Sequence, residues 1–189
     1  RRAAALKESR THYNIGPDAR LFAVDDPPAE TLLFRLVSRY CETDRPSNTA
    51  WELFGSGPAG WGRVQAICDY VHRHITFGYE HARMTRTALE AFHDQTGVCR
   101  DSAHLAVAFC RCMNIPARYC TGYLGAIGMP PPHGPMELAE WCEAFLDGHW
   151  CHFDPRHNRP RLLRVPIAPA HHASPLAPRS RLSCPRMPP

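Results

Sequence analysis

The stretch TGVCRDSAHLAVAFCRCMNIPARYCTGYLG, residues 96–125, decides the fold of this 189-residue chain. From Ala103 to Phe109 it is apolar on all sides, which is typical of a helix buried in a protein core. Pro116 ends this helix, because proline disfavours helical backbone in the residue before it. The segment ARYCTGYL that follows is typical of a strand. The sequence therefore predicts a central buried helix that leads into a sheet.

A β-hairpin is the strongest local pattern downstream of this helix. Two alternating runs, EWCEAFL and HWCHFD, are joined by Asp147-Gly148, a dipeptide that favours a type I′ turn. We expect strands at about 139–146 and 149–154. Alternation then places position 139 and Asp154 on the same face of the sheet, within reach of one another.

Two further helices are predicted upstream. Apolar residues recur at helical spacing through VQAICDYVHRHI, which predicts a helix at about 59–74 and a short extended segment at about 75–80. The stretch TRTALEAFHDQTG predicts another helix, with a threonine near its start and Gly97 just past its end. Residues 31–41 predict a strand or a short helix. Helices that precede an antiparallel sheet indicate an α+β fold.

The charge distribution argues against a nucleic-acid partner. The chain has 22 Lys and Arg against 18 Asp and Glu, but six of the arginines lie from residue 159 onward, where there is no acid. The rest of the chain is slightly acidic, whereas a nucleic-acid-binding domain needs a basic patch on its folded body. We expect a poorly ordered segment at 1–30, one domain at 31–165, and a disordered Pro/Arg-rich tail at 166–189.

Localisation and cofactors are inferred from what the sequence lacks. No run reaches the ~18 consecutive apolar residues of a membrane helix, and RRAAALKESR has no signal-peptide core. Nine cysteines without regular spacing indicate reduced thiols. These features predict a cytoplasmic protein without a membrane partner. No cofactor or metal is expected, because HWCH, CRC and HRH lack the paired spacing of zinc sites; zinc binding is kept as an alternative.

Cys99 is the candidate nucleophile, because it lies where the predicted buried helix begins. The thiolate is the reactive form of cysteine, whose free pKa is about 8.5. Unpaired N–H groups and the dipole at a helix N-terminus favour the thiolate and are suited to bind an oxyanion, and Arg100 adds positive charge. The alternative is an inert core thiol, which is our interpretation of Cys110 and Cys112.

The combination of TGVCRDSAHLAVAFCRCMNIPARYCTGYLG with EWCEAFLDGHWCHFDPRHN resembles the bacterial transglutaminase-like family of papain-related fold. The resemblance covers about residues 36–165. It implies a Cys–His–Asp triad, with Cys99 as the nucleophile and Asp154 as the acid. It also implies activity on amides, from hydrolysis, as in cysteine proteases, to acyl transfer from glutamine side chains.

One residue of the implied triad is missing at its expected place. The family's histidine precedes an Ala-Trp pair, and the corresponding position here is Ala139, which cannot exchange a proton. The segment FDPRHN makes His157 the first candidate for the imidazole. The other histidines considered are His152 on the hairpin, His133 in the Pro-rich loop, and His104 on the buried helix, which we interpret as structural.

Two functions follow from these residues. The first is a papain-like, transglutaminase-like α+β domain whose buried central helix starts at Cys99 and packs on an antiparallel sheet. It would act on a peptide or protein substrate as a thiol enzyme through Cys99, His157 and Asp154. The second is a catalytically impaired binding or scaffold protein on the same fold, which applies if no imidazole reaches Cys99.

Overall fold

The computed structural model describes residues 18–21, 28–124, 138–159 and 164–172. Four α-helices lie in these ranges: α1 (Ser47–Phe54), α2 (Trp61–His74), α3 (Ala88–Asp94) and α4 (Cys99–Cys112). The strands in the same ranges are β1 (Thr76–Phe77), β2 (Thr96–Gly97), β3 (Ala117–Leu124), β4 (Leu138–Leu146), β5 (His149–Phe153) and β6 (Arg164–Ala170). None of these helices is long and apolar enough to cross a membrane.

Helix α4 forms the centre of the core, as its sequence predicts. Every residue of α4 except Arg100 is buried, and the helix packs against β3 and β4 on one side and against α1, α2 and α3 on the others. The chain leaves the helix through Asn114, which has a left-handed φ of 59°, shortly before Pro116. The predicted buried helix is therefore confirmed, and it spans Cys99–Cys112.

A buried arginine ties the end of α4 to its surroundings. Arg111 donates hydrogen bonds to the carbonyl oxygens of Ala117 at 2.9 Å, Leu36 at 3.0 Å and His171 at 2.7 Å. These acceptors belong to β3, to the segment before α1, and to the residues that follow β6. One side chain thus holds three separate parts of the chain against the C-terminal end of the helix.

The predicted hairpin is confirmed in its register. Strands β4 and β5 pair antiparallel, with Leu146 opposite His149 and Cys142 opposite Phe153. Asp147 and Gly148 have φ values of 49° and 81°, and both must be positive in a type I′ turn. Local turn chemistry therefore fixes which side chains of the two strands share a face.

The main sheet has the order β5-β4-β3-β6, and each neighbouring pair is antiparallel. On one face, Cys142, Ala144 and Leu146 of β4 belong to the core that surrounds α4. On the other face, Ala139 and Trp141 form a separate buried cluster with Cys120 of β3. Because successive side chains of a strand point to opposite faces, position 140 lies on the face that packs against α4.

Strand β6 corrects the predicted domain boundary. It pairs with β3 from Arg164 to Ala170, so the boundary expected at 165 falls inside the sheet. The prolines that made this segment look irregular are compatible with an edge strand, where a missing N–H group leaves no ladder bond broken. The remainder of the predicted tail, 173–189, lies outside the described residues.

Part of the predicted N-terminal segment also belongs to the domain. Ala19 is buried in the core, and its carbonyl oxygen accepts a hydrogen bond from the N–H of Trp61 at 3.0 Å. Gly60, with a φ of 60°, approaches this carbonyl so closely that an added Cβ would lie 2.4 Å from the oxygen. Residues 18–21 are therefore packed on the start of α2, while 1–17 lie outside the described residues.

The upstream elements follow the sequence with local corrections. Residues 29–35 form a 3₁₀-helix where a strand or short helix was expected, and a second 3₁₀-helix covers 79–81. Helix α3 begins after Thr87, whose hydroxyl accepts the N–H of Glu90 at 3.3 Å. It ends at Asp94, and the next residue, Gln95, takes a left-handed conformation with a φ of 56°, two residues before Gly97.

Candidate active site

The contacts of residues 97 and 98 place Cys99 at the first position of α4. Gly97 pairs with Phe77 in the small parallel sheet of β1 and β2. Its backbone approaches Asp101 so closely that an added Cβ would lie 2.8 Å from the Cβ of that residue. The Asp101 carboxylate accepts a hydrogen bond from the Val98 N–H at 3.0 Å. The first turn of the helix is thereby closed on itself, with Cys99 at its start.

Two arginines surround the Asp101 carboxylate. Arg86, which is buried, lies 3.6 Å from Asp101 and 3.3 Å from Asp94. Arg100 lies 3.3 Å from Asp101 and donates a hydrogen bond to the carbonyl of Met84 at 2.8 Å. The guanidinium groups of Arg86 and Arg100 are therefore paired with the Asp101 carboxylate in the first turn of α4.

The thiol of Cys99 donates a hydrogen bond to the carboxylate of Glu140 on β4. Cys99 is 8% exposed, and Glu140 is half-buried. The phenol of Tyr119, on the neighbouring strand β3, interacts with the same carboxylate. Within the part of the chain that the structure describes, this carboxylate and not an imidazole is the hydrogen-bond partner of the sulfur.

Glu140 was missed because the sequence comparison pointed to its neighbour. The family resemblance assigns the histidine position to Ala139, but Ala139 lies on the opposite face with Trp141. A shift of one residue along a strand exchanges its two faces. The available signal was an acidic residue at a helix-facing position of β4, between apolar neighbours.

The electrostatic environment of Cys99 differs from the sequence expectation. Burial raises the pKa of the Cys99 thiol to about 12, the charge of Glu140 and its hydrogen bond act in the same direction, and Arg156 opposes them. Burial also raises the pKa of Glu140, against the contacts with Cys99 and Tyr119 and the charge of Arg100. In this arrangement the resting sulfur is a thiol. Burial and the Glu140 carboxylate therefore outweigh the helix N-terminus, which favours the thiolate.

Asp154 and His157 form the second half of the candidate site, and the structure brings them together. The Asp154 carboxylate accepts the backbone N–H of His157 at 3.0 Å, its Nδ1–H at 3.1 Å, and Arg164 at 3.2 Å. Burial opposes ionisation of Asp154, but the hydrogen bonds and charges of His157 and Arg164 outweigh it, so the pKa of Asp154 is lowered. Since an ionised carboxylate only accepts, Nδ1 carries a proton, and Nε2 is the ring nitrogen that Asp154 leaves without a contact.

The turn that carries His157 is anchored on α2. Asn158 donates to Asp69 at 2.7 Å, and His72 Nδ1–H donates to the carbonyl of Arg156 at 2.7 Å. The guanidinium of Arg156 lies 3.8 Å from the ring centre of Phe77 in β1 and acts on the pKa of Cys99. The turn therefore lies near Cys99, although the described contacts do not join His157 to Cys99.

The other candidate histidines have separate surroundings. His152 Nδ1 lies 2.9 Å from the Glu143 carboxylate, on the face of the sheet away from α4. His104 is fully buried and stacked on Tyr40 with ring centres 5.6 Å apart. Burial, with the nearby positive charges, lowers the pKa of His104 to about 3, in keeping with the structural interpretation. His133 lies outside the described residues.

The possible metal ligands of the hairpin contact their own backbone. His149 Nδ1–H donates to the carbonyl of Asp147 at 2.8 Å, and the Cys151 thiol donates to the carbonyl of His149. Across the described ranges, His, Cys, Asp and Glu side chains do not gather in groups of three or more that could hold a metal ion. The eight cysteines in those ranges are free thiols.

This chain is similar in sequence and in fold to known proteins. Residues 47–155 match the family described as the transglutaminase-like superfamily. A crystal structure of a candidate cysteine protease from Cytophaga hutchinsonii superposes with a TM-score of 0.75 and 30% identity over 84% of this chain. The periplasmic domain of TgpA from Pseudomonas aeruginosa has a TM-score of 0.52 and 19% identity over 71% of the chain, a likeness of fold.

The matching proteins are longer than this chain. The chain spans 53% of the Cytophaga protein and 49% of the TgpA domain. An uncharacterized protein of Mycobacterium leprae is 36% identical over 76 residues, which are 38% of this chain and 26% of that protein. In each case the matched region covers about half or less of the other protein.

Proposed function

Since the chain belongs to the transglutaminase-like superfamily, we propose that it is a thiol enzyme that acts on amide bonds of peptides or proteins, with Cys99 as the nucleophile. The observation that carries the proposal is the position of Cys99 as the first residue of the buried helix α4. At this end of a helix, backbone N–H groups without helical partners are suited to bind the oxyanion of a tetrahedral intermediate.

The proposed reaction passes through a thioester. The sulfur of Cys99 attacks the amide carbonyl carbon, the carbon–sulfur bond forms, and the carbonyl electron pair moves to oxygen. When the carbonyl re-forms, the carbon–nitrogen bond breaks and the amine leaves with one added proton. Water then releases an acid by hydrolysis, or a second amine takes the acyl group by transfer.

The pair of His157 and Asp154 is proposed to handle protons at the leaving and entering groups. Asp154 holds the imidazole through Nδ1 at 3.1 Å, which leaves Nε2 available as the acid–base atom. The side chain of His157 is 26% exposed, as expected of a group that meets substrate. In this role the imidazolium form of His157 gives its Nε2 proton to the departing nitrogen, and the neutral imidazole that remains takes a proton from the incoming water or amine.

A mass-spectrometric search for the thioester tests this function. The protein is incubated with glutamine-containing peptides, and samples are acid-quenched and digested. We expect ammonia release, together with an acyl adduct on Cys99, and loss of both in Cys99→Ala. Cys112→Ala is the matched control, because Cys112 lies on the same helix and is 7% exposed against 8% for Cys99. Ammonia release that persists in Cys99→Ala would contradict the proposal.

A second function, a binding or scaffold protein on the same fold, is favoured by one observation. The Cys99 thiol is hydrogen-bonded to Glu140, and its pKa is raised to about 12, which keeps the resting sulfur un-ionised. This function predicts that wild type and Cys99→Ala bind the same peptides with equal affinity and without turnover. Peptide binding measured by calorimetry alongside the ammonia assay separates the two functions.

A further inference from the structure

We propose that Glu140 is the catalytic base that takes the proton of Cys99, from the strand position next to the one where the family resemblance expects a histidine. This inference rests on the proposed function of Cys99 as a nucleophile. It assigns the thiol proton and the leaving-group proton to two different residues. Glu140 serves the sulfur, and His157 serves the departing and entering groups.

The direct contact is the first observation that supports this role. A general base must lie within hydrogen-bond reach of the proton that it removes, and the Cys99 thiol already donates to the Glu140 carboxylate. Since an ionised carboxylate has no proton to donate, the direction of this bond is from sulfur to oxygen. In the resting protein the proton therefore already points at its acceptor.

The packing of Tyr119, which interacts with the Glu140 carboxylate, is the second observation. In the β3–β4 register Glu140 lies opposite Thr121, two residues from Tyr119. The Tyr119 ring, 4% exposed, packs against His104 with ring centres 5.0 Å apart. His104 is in turn stacked on Tyr40. The aromatic side chain that interacts with the carboxylate thus packs on His104, which in turn packs on Tyr40.

The charges around the carboxylate form the third observation. A buried carboxylate needs nearby positive charge to remain ionised. Arg100 and Arg156 both act to lower the pKa of Glu140, and Arg156 is held over Phe77 at 3.8 Å. Arg100 starts from α4 and Arg156 from the turn of His157, so positive charge reaches the carboxylate from both elements that carry the candidate site.

In the proposed step the Cys99 proton moves to Glu140 during the attack, and Glu140 returns it to the sulfur when the thioester is cleaved. As the sulfur lone pair forms the bond to the carbonyl carbon, the S–H bond breaks and its proton passes to a Glu140 carboxylate oxygen. The carbonyl electron pair moves to oxygen, so the intermediate carries an oxyanion beside a neutral Glu140 acid. The free thiolate never accumulates, which agrees with the raised pKa of the resting thiol.

Two readouts in Glu140→Gln move in opposite directions under this proposal. Removing the negative charge beside Cys99 lowers the pKa of the thiol, so alkylation by iodoacetamide at pH 8 rises. Acylation falls about 100-fold or more, the usual contribution of general acid–base catalysis being 10²–10⁴-fold. A carboxylate that merely blocks the nucleophile would instead raise both rates when it is removed, and that result would overturn the proposal.

Two substrates with different leaving groups distinguish the proposed role of Glu140 from that of His157. An acyl-peptide p-nitrophenyl ester releases a phenolate that needs no proton, whereas a peptide amide needs one. Glu140→Gln should lose ester and amide acylation to a similar extent, while His157→Gln should lose amide acylation more than ester acylation. The reverse pattern would make His157 the base for the thiol and overturn the proposal.

Three further variants complete the experiment. Glu140→Asp keeps the carboxylate and should retain part of the ester burst, and in Glu140→His the acid limb of the burst should move toward the imidazole pKa of about 6.5. Glu143→Gln is the control, since Glu143 lies in the same strand but contacts Arg118 and His152 on the opposite face.

If Glu140→Gln fails to fold, as judged by circular dichroism, an ester burst in Glu140→Asp equal to wild type at every pH would overturn the proposal. A wild-type protein that forms no acyl adduct would contradict the proposed function itself, and the Glu140 role with it.

Discussion

Asp154 accepts two hydrogen bonds from His157, one from its backbone N–H at 3.0 Å and one from Nδ1 at 3.1 Å. The carboxylate thereby fixes both the turn and the orientation of the imidazole ring. The same oxygen that meets the ring also meets Arg164 at 3.2 Å, so the turn is linked to the first residue of the edge strand β6.

Asp154→Asn should destabilise the protein at neutral pH by about 1–3 kcal/mol, because buried donors on His157 and Arg164 lose a charged acceptor. The pKa of Asp154 is lowered in the folded state. The stabilisation by Asp154 is therefore fully present above its unfolded-state pKa of about 3.9, and it is lost as the pH falls through its lower folded-state pKa. Urea unfolding of both proteins between pH 2 and 7 measures this. Equal acid sensitivity of the two proteins would show that Asp154 does not contribute in this way.

Gly97→Ala should disturb the helix start that carries Cys99. The new Cβ would lie 2.8 Å from the Asp101 Cβ, and such overpacking costs about 1–3 kcal/mol. Thermal unfolding measures the loss. Gly57→Ala is a suitable control, because its Cβ would meet only the Phe54 carbonyl at 3.5 Å, an ordinary contact. Similar melting temperatures for the two variants would contradict the tight approach at Gly97.

His104→Phe should flatten the pH dependence of stability between about pH 4 and 6. The pKa of His104 is lowered to about 3 in the folded protein, while the unfolded chain takes up the proton near 6.5. In that window the unfolded state binds more protons, so stability falls with decreasing pH by up to about 1.4 kcal/mol per unit for this group. Phenylalanine keeps the stacking on Tyr40 and Tyr119 but carries no proton. An unchanged slope in urea titrations would argue that His104 is protonated in the fold.

Cys99 of the resting protein should react slowly with iodoacetamide at neutral pH. Its pKa is raised to about 12 by burial and by Glu140, and only the thiolate is nucleophilic. We expect a rate at pH 8 at least ~10-fold below that of glutathione, with Cys99 alkylation located by mass spectrometry. Fast alkylation at pH 7 would instead support the activated thiolate expected from the helix terminus.

The local parts of the fold could be predicted from the sequence. The two-residue turn at Asp147-Gly148 predicts the β4–β5 register. The apolar run from Ala103 to Phe109, followed by Pro116, predicts helix α4. Strand β6 was not predicted, because an edge strand next to β3 tolerates prolines that hide its alternation. Its pairing depends on a distant strand, which no local pattern reports.

The candidate site was predicted only in part, for a similar reason. Asp154 and His157 lie three residues apart, so a single turn decides their contact. The partner of Cys99 lies 41 residues away, and whether residue 139 or 140 faces the helix depends on how β4 packs. A comparison of motifs without the packing cannot show that Glu140, next to the implied position, is the residue that contacts Cys99.

The contrast between helix α4 and the turn that carries His157 has a consequence for motion in the native state. Amide protons of α4, which is closed by Asp101 at one end and by Arg111 at the other, should exchange with solvent only when the whole domain unfolds. Residues 156–158 are half-buried at the surface and can open locally at a smaller free-energy cost. Cys99 would then stay fixed on the slowest-exchanging element, while the imidazole of His157 could move toward or away from it without unfolding the core.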